Sequence, residues 1–483
     1  MRKRFEQQLR LGVTPIEQIK VGNGRDAQVA VLQALQWIFC TPEVNQEVFE
    51  LLESRLTPKQ KSLGRKGMDL WTILVFATMR LTRNQSYDDL RYSANHDTLM
   101  REMVGIGVTE QETQFSLTSL KENLSLLDDE LLAKVNAIVI KHSDHVAKKK
   151  HGKLRLKTDS YVLENNVHFP TDLNLAHDAA RKSIELSYQF ANSSNLPGWR
   201  KARSWKSAVK KLYLYVVRVQ HGGGKNKEKR LQKAVGNYLE KLTEVERKTT
   251  SALTDFKAWV CSPLELVALE QIRYFLNHLT KHIDLIKRRL INKETIPQDE
   301  KVFSLFEPHT EWISKGKLHK KVELGHRVLI TTDQNHLIVD YKVMVNSTDS
   351  EEVGSLIDRL NDTYGEGSVA SHSFDKGFYS KANKEKAGEL SDQVIMPKRG
   401  KRNHAEEEEE RESSFKKLRH AHSAVESNIN SLEHHGLDRC PDKGLPNYKR
   451  YVGLGVLGYN LQIVGRQILQ KNELARRKQA KAA

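Results

Sequence analysis

The sequence predicts a mixed α/β (α+β) protein in which a helical N-terminal region is followed by a sheet flanked by helices. Short apolar runs rich in β-branched residues alternate with helical patterns, which predicts the order β-β-β-α-β-α-β-α. The strand-like runs are Leu154–Val162, His326–Thr332, His336–Val345, Val369–Phe374 and Gln393–Pro397. The expected helices lie near Ser350–Thr363, near Lys381–Leu390, and from about Glu406 to Glu433.

Chain length and changes of pattern divide the sequence into four parts. With 483 residues the chain is too long for one ordinary core, so two or three domains are expected. We expect a helical region over residues 1–150, a sheet core from residues 151–170 and 301–465, a helical insertion over 171–300, and a frayed basic tail over 466–483.

Composition indicates a cytoplasmic protein that acts on a polyanion. Lys and Arg number 78 against 61 Asp and Glu, a formal net charge of +17, which favours a nucleic-acid partner. Cys40, Cys261 and Cys440 are far apart and offer neither a disulfide framework nor a zinc motif. The strongest apolar window, Leu70–Met79, is about half the ~20 residues that span a bilayer, and the basic N-terminus lacks an apolar signal segment. We therefore expect no membrane association.

The N-terminal region shows helical spacing of apolar residues and one helix-start signal. Ser86 and Asp89 form a potential capping box before Leu90. The helical segments are Ala27–Phe39, Leu70–Leu81, Asp97–Val104 and Leu117–His145. Short helices joined by polar turns are typical of a helix-turn-helix DNA-binding unit, and equally of a helical bundle without groove contacts.

The insertion contains the clearest helix of the sequence. Ser262 at the N-cap, Pro263 at the first position and Glu265 at the third give three independent start signals. An apolar seam with alternating spacings of three and four follows, at Leu269, Ile272, Leu276, Leu279, Ile283, Ile286 and Leu290. A matching stripe precedes it at Leu231, Val235, Leu239 and Leu242, so an antiparallel helical pair is expected, with dimerisation as the alternative.

A basic stretch at the start of the insertion has two readings. Trp199 and Trp205 lie among Arg181, Lys182, Arg200, Lys201, Arg203 and Lys206. These residues would suit a DNA-facing surface, while the two tryptophans would equally suit a core. The turn His221–Lys225 contains three glycines but lacks the ending of a phosphate-binding loop, which favours a flexible joint.

Three carboxylates, far apart in the chain, occur where a metal ion could be held. Asp159 lies in the first strand-like run, Asp375 directly follows another, and Glu426 lies in a helical run. A fold that brings two strand ends and a helix together would gather them. Because Mg²⁺ prefers oxygen ligands, such a cluster on a basic chain predicts two-metal chemistry on nucleic-acid phosphates. Singly, each acid would be an ordinary turn, cap or ion-pair residue.

The segments around these acids resemble a known family. The strings TDSYVLENNVHFPTDLN (158–174), FDKGFYS (374–380) and AVESNINSLEHHGLDR (424–439) are similar to the catalytic blocks of bacterial insertion-sequence DDE transposases, most closely the ISNCY-like group. Residues 315–317 (KGK) and 451–461 (YVGLGVLGYNL) also resemble flanking motifs. The resemblance implies a ribonuclease H-like core whose triad, carried onto Asp159, Asp375 and Glu426, binds two Mg²⁺ ions, with Mn²⁺ as a substitute. Related enzymes often have Lys or Arg where this chain has Glu433.

Several basic residues near the acids are candidates for DNA contact. Lys376 and Tyr379 follow Asp375, and Arg419 or Arg439 would replace the cation absent at Glu433. The loop after the last strand adds Lys398, Arg399, Lys401 and Arg402. Each would equally be a solvated surface residue. The run Glu406–Glu410 favours a helix N-terminus rather than a metal site. The other acids that compete for a metal role are Glu164, Asp172, Glu323 and Asp340.

The expected function is DNA transposition. Such an enzyme would bind the terminal inverted repeats of its element, cleave there, and join the freed 3′-hydroxyl to target double-stranded DNA. The N-terminal region would serve DNA binding or dimerisation, a homodimer or larger assembly would hold two ends, and the protein would lie in the bacterial cytoplasm on the nucleoid. The alternatives are an inactive, transposase-derived DNA-binding regulator, and a ribonuclease H-like nuclease without strand transfer.

Overall fold

The computed structural model describes most of the chain, with short gaps. The described ranges are 4–5, 12–22, 24–56, 67–107, 109–110, 112–143, 152–260, 262–314 and 321–482. The predicted motif at 315–317, Cys261 and the end of the predicted helix at His145 lie outside them.

The chain divides into two compact units. The first contains residues 1–166 and 313–483, and the second contains residues 167–312. The N-terminal helices and the sheet therefore belong to one unit, and most of its described buried apolar residues belong to one hydrophobic cluster. The second unit corresponds approximately to the predicted insertion and has a cluster of its own.

The N-terminal half of the first unit is helical, as predicted. Its helices are α1 (Ala27–Cys40), α2 (Pro42–Ser54), α3 (Leu70–Thr82), α4 (Tyr87–His96), α5 (Thr98–Met103), α6 (Leu117–Leu124) and α7 (Asp129–Ser143). The Ser86 capping box is present: the Ser86 hydroxyl accepts from Asp89 N, and the Asp89 carboxylate accepts from Ser86 N. The single helix predicted over residues 117–145 is wrong. Asp128 accepts a hydrogen bond from Leu131 N and so starts a new helix at α7.

The described strands form one seven-stranded mixed sheet. They are β1 (Leu154–Asn165), β2 (Glu311–Ser314), β3 (Val322–Thr332), β4 (Ile338–Val343), β5 (Val369–Phe374), β6 (Ser391–Ile395) and β7 (Arg439–Cys440). The order is β2-β3-β1-β5-β6, with β4 beside β3 and β7 beside β1. β3 and β4 form a hairpin: they pair antiparallel, and Asp333 N donates to Leu337 O across the turn. β5 and β6 run parallel to β1.

Helices cover both faces of the sheet. They are α12 (Asp349–Tyr364), α13 (Lys381–Leu390), α14 (His404–Arg411), α15 (Ser413–His422) and α16 (Ala424–Leu432). The single long helix predicted from Glu406 to Glu433 is wrong, because Glu412 has an extended backbone (φ −57°, ψ 141°) that separates α14 from α15. A tightened turn at Ser423 then divides α15 from α16, and Glu426 N donates to Ser423 O.

The last helix, α17 (Leu445–Ala482), is the largest element that the sequence pattern did not predict. It packs against α1, α3 and α7, and its first turn reaches the sheet where the Tyr448 hydroxyl donates to Leu163 O at 2.6 Å. Residues 466–482, expected to be a frayed tail, continue this helix, and the side chains of residues 466–481 are mostly exposed. No helix in the described ranges is both long enough and apolar enough to cross a membrane.

The second unit is a helical bundle. Its helices are α8 (Asp172–Ser193), α9 (Ala202–His221), α10 (Lys227–Lys257) and α11 (Pro263–Ile286). The Ser262 N-cap is present, and the Ser262 hydroxyl accepts from Glu265 N. The apolar seam of α11 is buried against both α8 and α10, so the expected pair becomes part of a bundle. Trp199 is buried and packs edge-to-face on the half-buried Trp205, so the core interpretation is confirmed for Trp199.

Candidate active site

Asp159 and Asp375 occupy corresponding positions on neighbouring strands. The parallel register of β1 and β5 pairs Lys157 with Ser373 and Thr158 with Phe374. The ladder ends there, and Asp159 and Asp375 are the next residues of the two strands; the backbone of Asp375 is still extended (φ −75°, ψ 165°). Since neighbouring strands are about 4.8 Å apart, the two carboxylates belong to the same patch of the sheet.

Both aspartates point to the face that α15 and α16 cover. Side chains alternate along a strand, so Asp375 shares a face with Ser373, whose hydroxyl lies 3.1 Å from His422 Nδ1 on α15. Asp159 likewise shares a face with Lys157, whose charge acts on His422. This patch lies at an irregularity of the sheet, because the β5 ladder ends at Thr158 and the β7 ladder begins at Glu164.

Glu426 lies in the first turn of α16, the helix that packs on β1 and β3. The buried side chains of this helix include Val425, Asn428 and Leu432, while Glu426 is exposed at the border of the buried face. Asn428 fixes the helix, since its side-chain oxygen lies 3.2 Å from His336 Nδ1. Glu426 follows His422 by four residues, and His422 lies beside Asp375. The helix that carries Glu426 therefore lies on the side of the sheet to which the two aspartates point.

Two histidines that sequence reasoning missed lie close to this patch: His422 on the covering helix α15, and His372 on β5, whose side chain points to the opposite face of the sheet. His372 Nε2 is 2.7 Å from Thr158 Oγ1, and burial, followed by the neighbouring His422, lowers the pKa of His372 to about 3. Burial also lowers the pKa of His422, although the charge of Asp375 acts in the opposite direction. Among the described groups, His422 Nε2 is a buried ring nitrogen without a hydrogen-bond partner. Only the string SHSFD, with a histidine inside a strand, could have drawn attention to His372.

The chemistry of the three acids suits magnesium, but they do not form a closed ligand group. Carboxylate oxygens are the ligands that Mg²⁺ prefers, and Asp375 and Glu426 are exposed. Asp159 is half-buried, and its Oδ1 accepts a hydrogen bond from Ser160 N at 2.7 Å. Within the described ranges, no three His, Cys, Asp or Glu side chains are arranged to hold a metal ion together.

The predicted DNA contacts fall into two sets. Lys376, Arg399 and Lys401 are exposed. The others are engaged by acids of the chain. Arg439 lies 3.5 Å from Glu164, and the remaining four face the acidic helix α14. These four are Tyr379, Lys398, Arg402 and Arg419.

The acids that competed for a metal role are mostly engaged in ion pairs. Glu164 pairs with Arg439, and Asp340 pairs with Arg359 through two hydrogen bonds of 2.9 and 2.7 Å. In the second unit, Asp172 Oδ2 lies 2.7 Å from Arg289. Glu323 is buried on β3.

Comparison with known proteins adds no assignment. No family model, no curated protein and no solved structure matches this chain.

Proposed function

We propose that this protein is a magnesium-dependent DNA transposase of the DDE type. The observation that carries the proposal is the corresponding placement of Asp159 and Asp375 on adjacent parallel strands, with Glu426 on the helix that packs across the same face. Two carboxylates close together on neighbouring strands repel each other, and a cation bound between them would offset that repulsion.

The strand arrangement supports a ribonuclease H-like core. β1, β3 and β4 form an antiparallel set, and β5 and β6 extend the sheet in parallel from the other edge of β1. This is the arrangement expected of that core, in which the first acid lies on the central strand and the second follows the neighbouring strand. β2, β7 and the helical second unit would then be additions to it.

The chain's own residues would bind and orient the phosphodiester. Asp159, Asp375 and Glu426 would hold Mg²⁺, which when bound activates a water or 3′-hydroxyl and stabilises the leaving oxygen. Lys376 directly follows Asp375 and is exposed, so its ammonium group can hold a phosphate beside the scissile bond. Arg399 and Lys401 are also exposed and would fix the backbone further along, where contacts give affinity without sequence information.

The remaining parts of the proposal concern partners. A formal net charge of +17 favours binding of double-stranded DNA, both the element's inverted repeats and the target. The N-terminal helices would supply recognition of the ends, and a homodimer or larger assembly would hold two ends together. The site of action would be the bacterial nucleoid.

The test uses purified full-length protein and labelled duplexes taken from the DNA that flanks the gene. We expect Mg²⁺-dependent cleavage at an inverted repeat, and joining of a pre-cut end to a second duplex. Asp159→Asn should abolish both reactions, while binding to the same duplex persists. Asp358→Asn, which changes an exposed acid of α12 that pairs with Lys386, is the matched control and should retain both.

Other outcomes of this test would indicate a different function for the protein. Binding without cleavage would indicate the inactive regulator, and cleavage without joining would indicate a nuclease. Cleavage that survives Asp159→Asn would remove the assignment of the site.

A further inference from the structure

The helix α14 is held to the protein by charge rather than by apolar contact. None of its eight described residues is buried. Its inward face consists of Glu406, Glu409 and Glu410, which follow the spacing of one helix face, while Glu407 and Glu408 point to solvent. A short helix with no apolar anchor is stabilised mainly by what its carboxylates contact.

Those carboxylates contact a basic surface that we define as Tyr379, Lys384, Lys398, Arg402 and Arg419. Lys398 Nζ lies 2.8 Å from both oxygens of Glu406, and the Tyr379 hydroxyl donates to the same carboxylate at 3.2 Å. Arg402 Nε donates to Glu410 Oε1 at 2.7 Å. The surface is completed by Lys384, 2.7 Å from Glu409 Oε1, and Arg419, 3.6 Å from Glu410 Oε2.

These contacts are of the kind that a phosphodiester backbone would make. Charge-assisted N–H···O⁻ hydrogen bonds of 2.7–2.9 Å form equally to carboxylate and phosphate oxygens. The ion pair also shifts the protonation of its two members: Glu406 raises the pKa of Lys398, and Lys398 lowers the pKa of Glu406. Tyr379 of the basic surface follows Asp375 by four residues, and Arg419 shares α15 with His422, so two of its members adjoin the candidate active site along the chain.

We propose that the basic surface is a binding surface for the phosphate backbone of DNA, and that α14 occupies it as an internal competitor that DNA must displace. This inference rests on the proposed function, because it takes DNA as the polyanion. The chain allows the displacement. The loop to Asn403 precedes α14, and the extended backbone of Glu412 separates it from α15, so changes in these two short segments would allow α14 to detach.

The test compares two double variants that change the charge of the same helix equally. E406Q/E410Q removes two inward carboxylates, and E407Q/E408Q removes two outward ones. Glutamine also serves in a capping box, so Glu406→Gln keeps the start of the helix. Binding of the full-length protein to a fluorescein-labelled duplex of arbitrary sequence is followed by anisotropy over a series of salt concentrations, because phosphate contacts do not depend on sequence. Circular dichroism verifies that both variants are folded.

We expect E406Q/E410Q to bind the duplex about three- to tenfold more tightly than the wild type at low salt, since exposed ion pairs of this kind are weak. E407Q/E408Q should change affinity less than twofold. Hydrogen exchange of residues 404–411 should rise when the duplex is added to the wild type, which reports the release of α14.

Equal affinities of the two double variants, or unchanged exchange in α14 on DNA binding, would overturn the competition. Failure of all three proteins to bind DNA would overturn it together with the DNA partner. These outcomes differ from failure of the proposed function itself, which would appear as normal DNA binding without Mg²⁺-dependent cleavage.

Discussion

Neutralising Asp375 should stabilise the fold in the absence of magnesium. Asp159 and Asp375 each directly follow the last paired residues of the β1–β5 ladder, Thr158 and Phe374, on strands about 4.8 Å apart. Continuation of that register would bring two negative charges close together on one surface. At about 5 Å their repulsion is about 1 kcal/mol in water and about 3 kcal/mol at an effective dielectric constant of 20. Because Asp375 is exposed, the lower figure applies, and Asp375→Asn should raise the Tm in EDTA by about 2 °C.

In magnesium the wild type, rather than Asp375→Asn, should have the higher Tm. An ion that binds only the folded state at about a hundred times its Kd stabilises the wild type by about 2.7 kcal/mol. The Asp375→Asn variant should lose most of that gain. The assay is calorimetry of the full-length protein in EDTA and at saturating Mg²⁺. Asp392→Asn, an exposed acid on β6 that pairs with Lys153, is the control and should keep the wild-type response to magnesium.

Two results would refute this reasoning. A lower Tm of Asp375→Asn in EDTA would mean that Asp375 makes a favourable contact in the fold rather than a repulsive one. A wild-type response to magnesium in the variant would mean that the ion binds elsewhere. Neither readout depends on knowing the DNA sequence of the element ends.

Two further predictions concern buried charge in the first unit. Arg80 is 1% exposed and pairs with Asp442 through hydrogen bonds of 2.8 and 2.6 Å, so Asp442→Ala should destabilise the unit by about 3–5 kcal/mol in urea unfolding. The double variant Arg80→Met/Asp442→Leu should recover most of this stability. An equal loss of stability in the single and double variants would contradict an electrostatic cause. His372, whose pKa burial lowers from 6.5 to about 3, is neutral in the fold, so its contribution is complete above pH 6.5 and is lost as the pH falls towards 3. The unfolding free energy should therefore fall by about 1.4 kcal/mol per pH unit below 6.5 in the wild type and less steeply in His372→Gln, and equal slopes would exclude this residue.

Local signals in the sequence predicted most of the elements around the candidate site. The bounds predicted for β5 (Val369–Phe374) and α13 (Lys381–Leu390) agree with the structure because each has a clear alternation or cap. Ser380, for example, accepts a hydrogen bond from Asn383 N at the start of α13. Such signals involve only a few neighbouring residues, so they can be recognised in the sequence without knowledge of the fold.

Features that depend on tertiary contacts escaped prediction. Residues 445–465 of α17 are apolar with several glycines, a pattern that looks poor for a helix, yet close packing requires those glycines. A Cβ on Gly465 would come within 1.7 Å of Ala30 O, and one on Gly455 within 2.2 Å of a Leu437 methyl group. Small residues there let α17 approach its neighbours. The pairing of Arg80 with Asp442, 362 positions apart, is equally invisible in sequence.

The charge pattern near the candidate site shows why composition alone overstates what DNA would meet. The loop 398–402 and the run Glu406–Glu410 are neighbours in sequence, and folding turns the second back onto the first, so Lys398 and Arg402 are neutralised within the chain. Lys376, Arg399 and Lys401 remain exposed and would make the first electrostatic contacts with a phosphate backbone. On the proposed function, DNA would then engage in two stages, with exposed cations first and the covered surface second. Binding would then depend more steeply on salt concentration than three exposed cations alone would predict, because displacement of the glutamates frees further cationic side chains to contact phosphates.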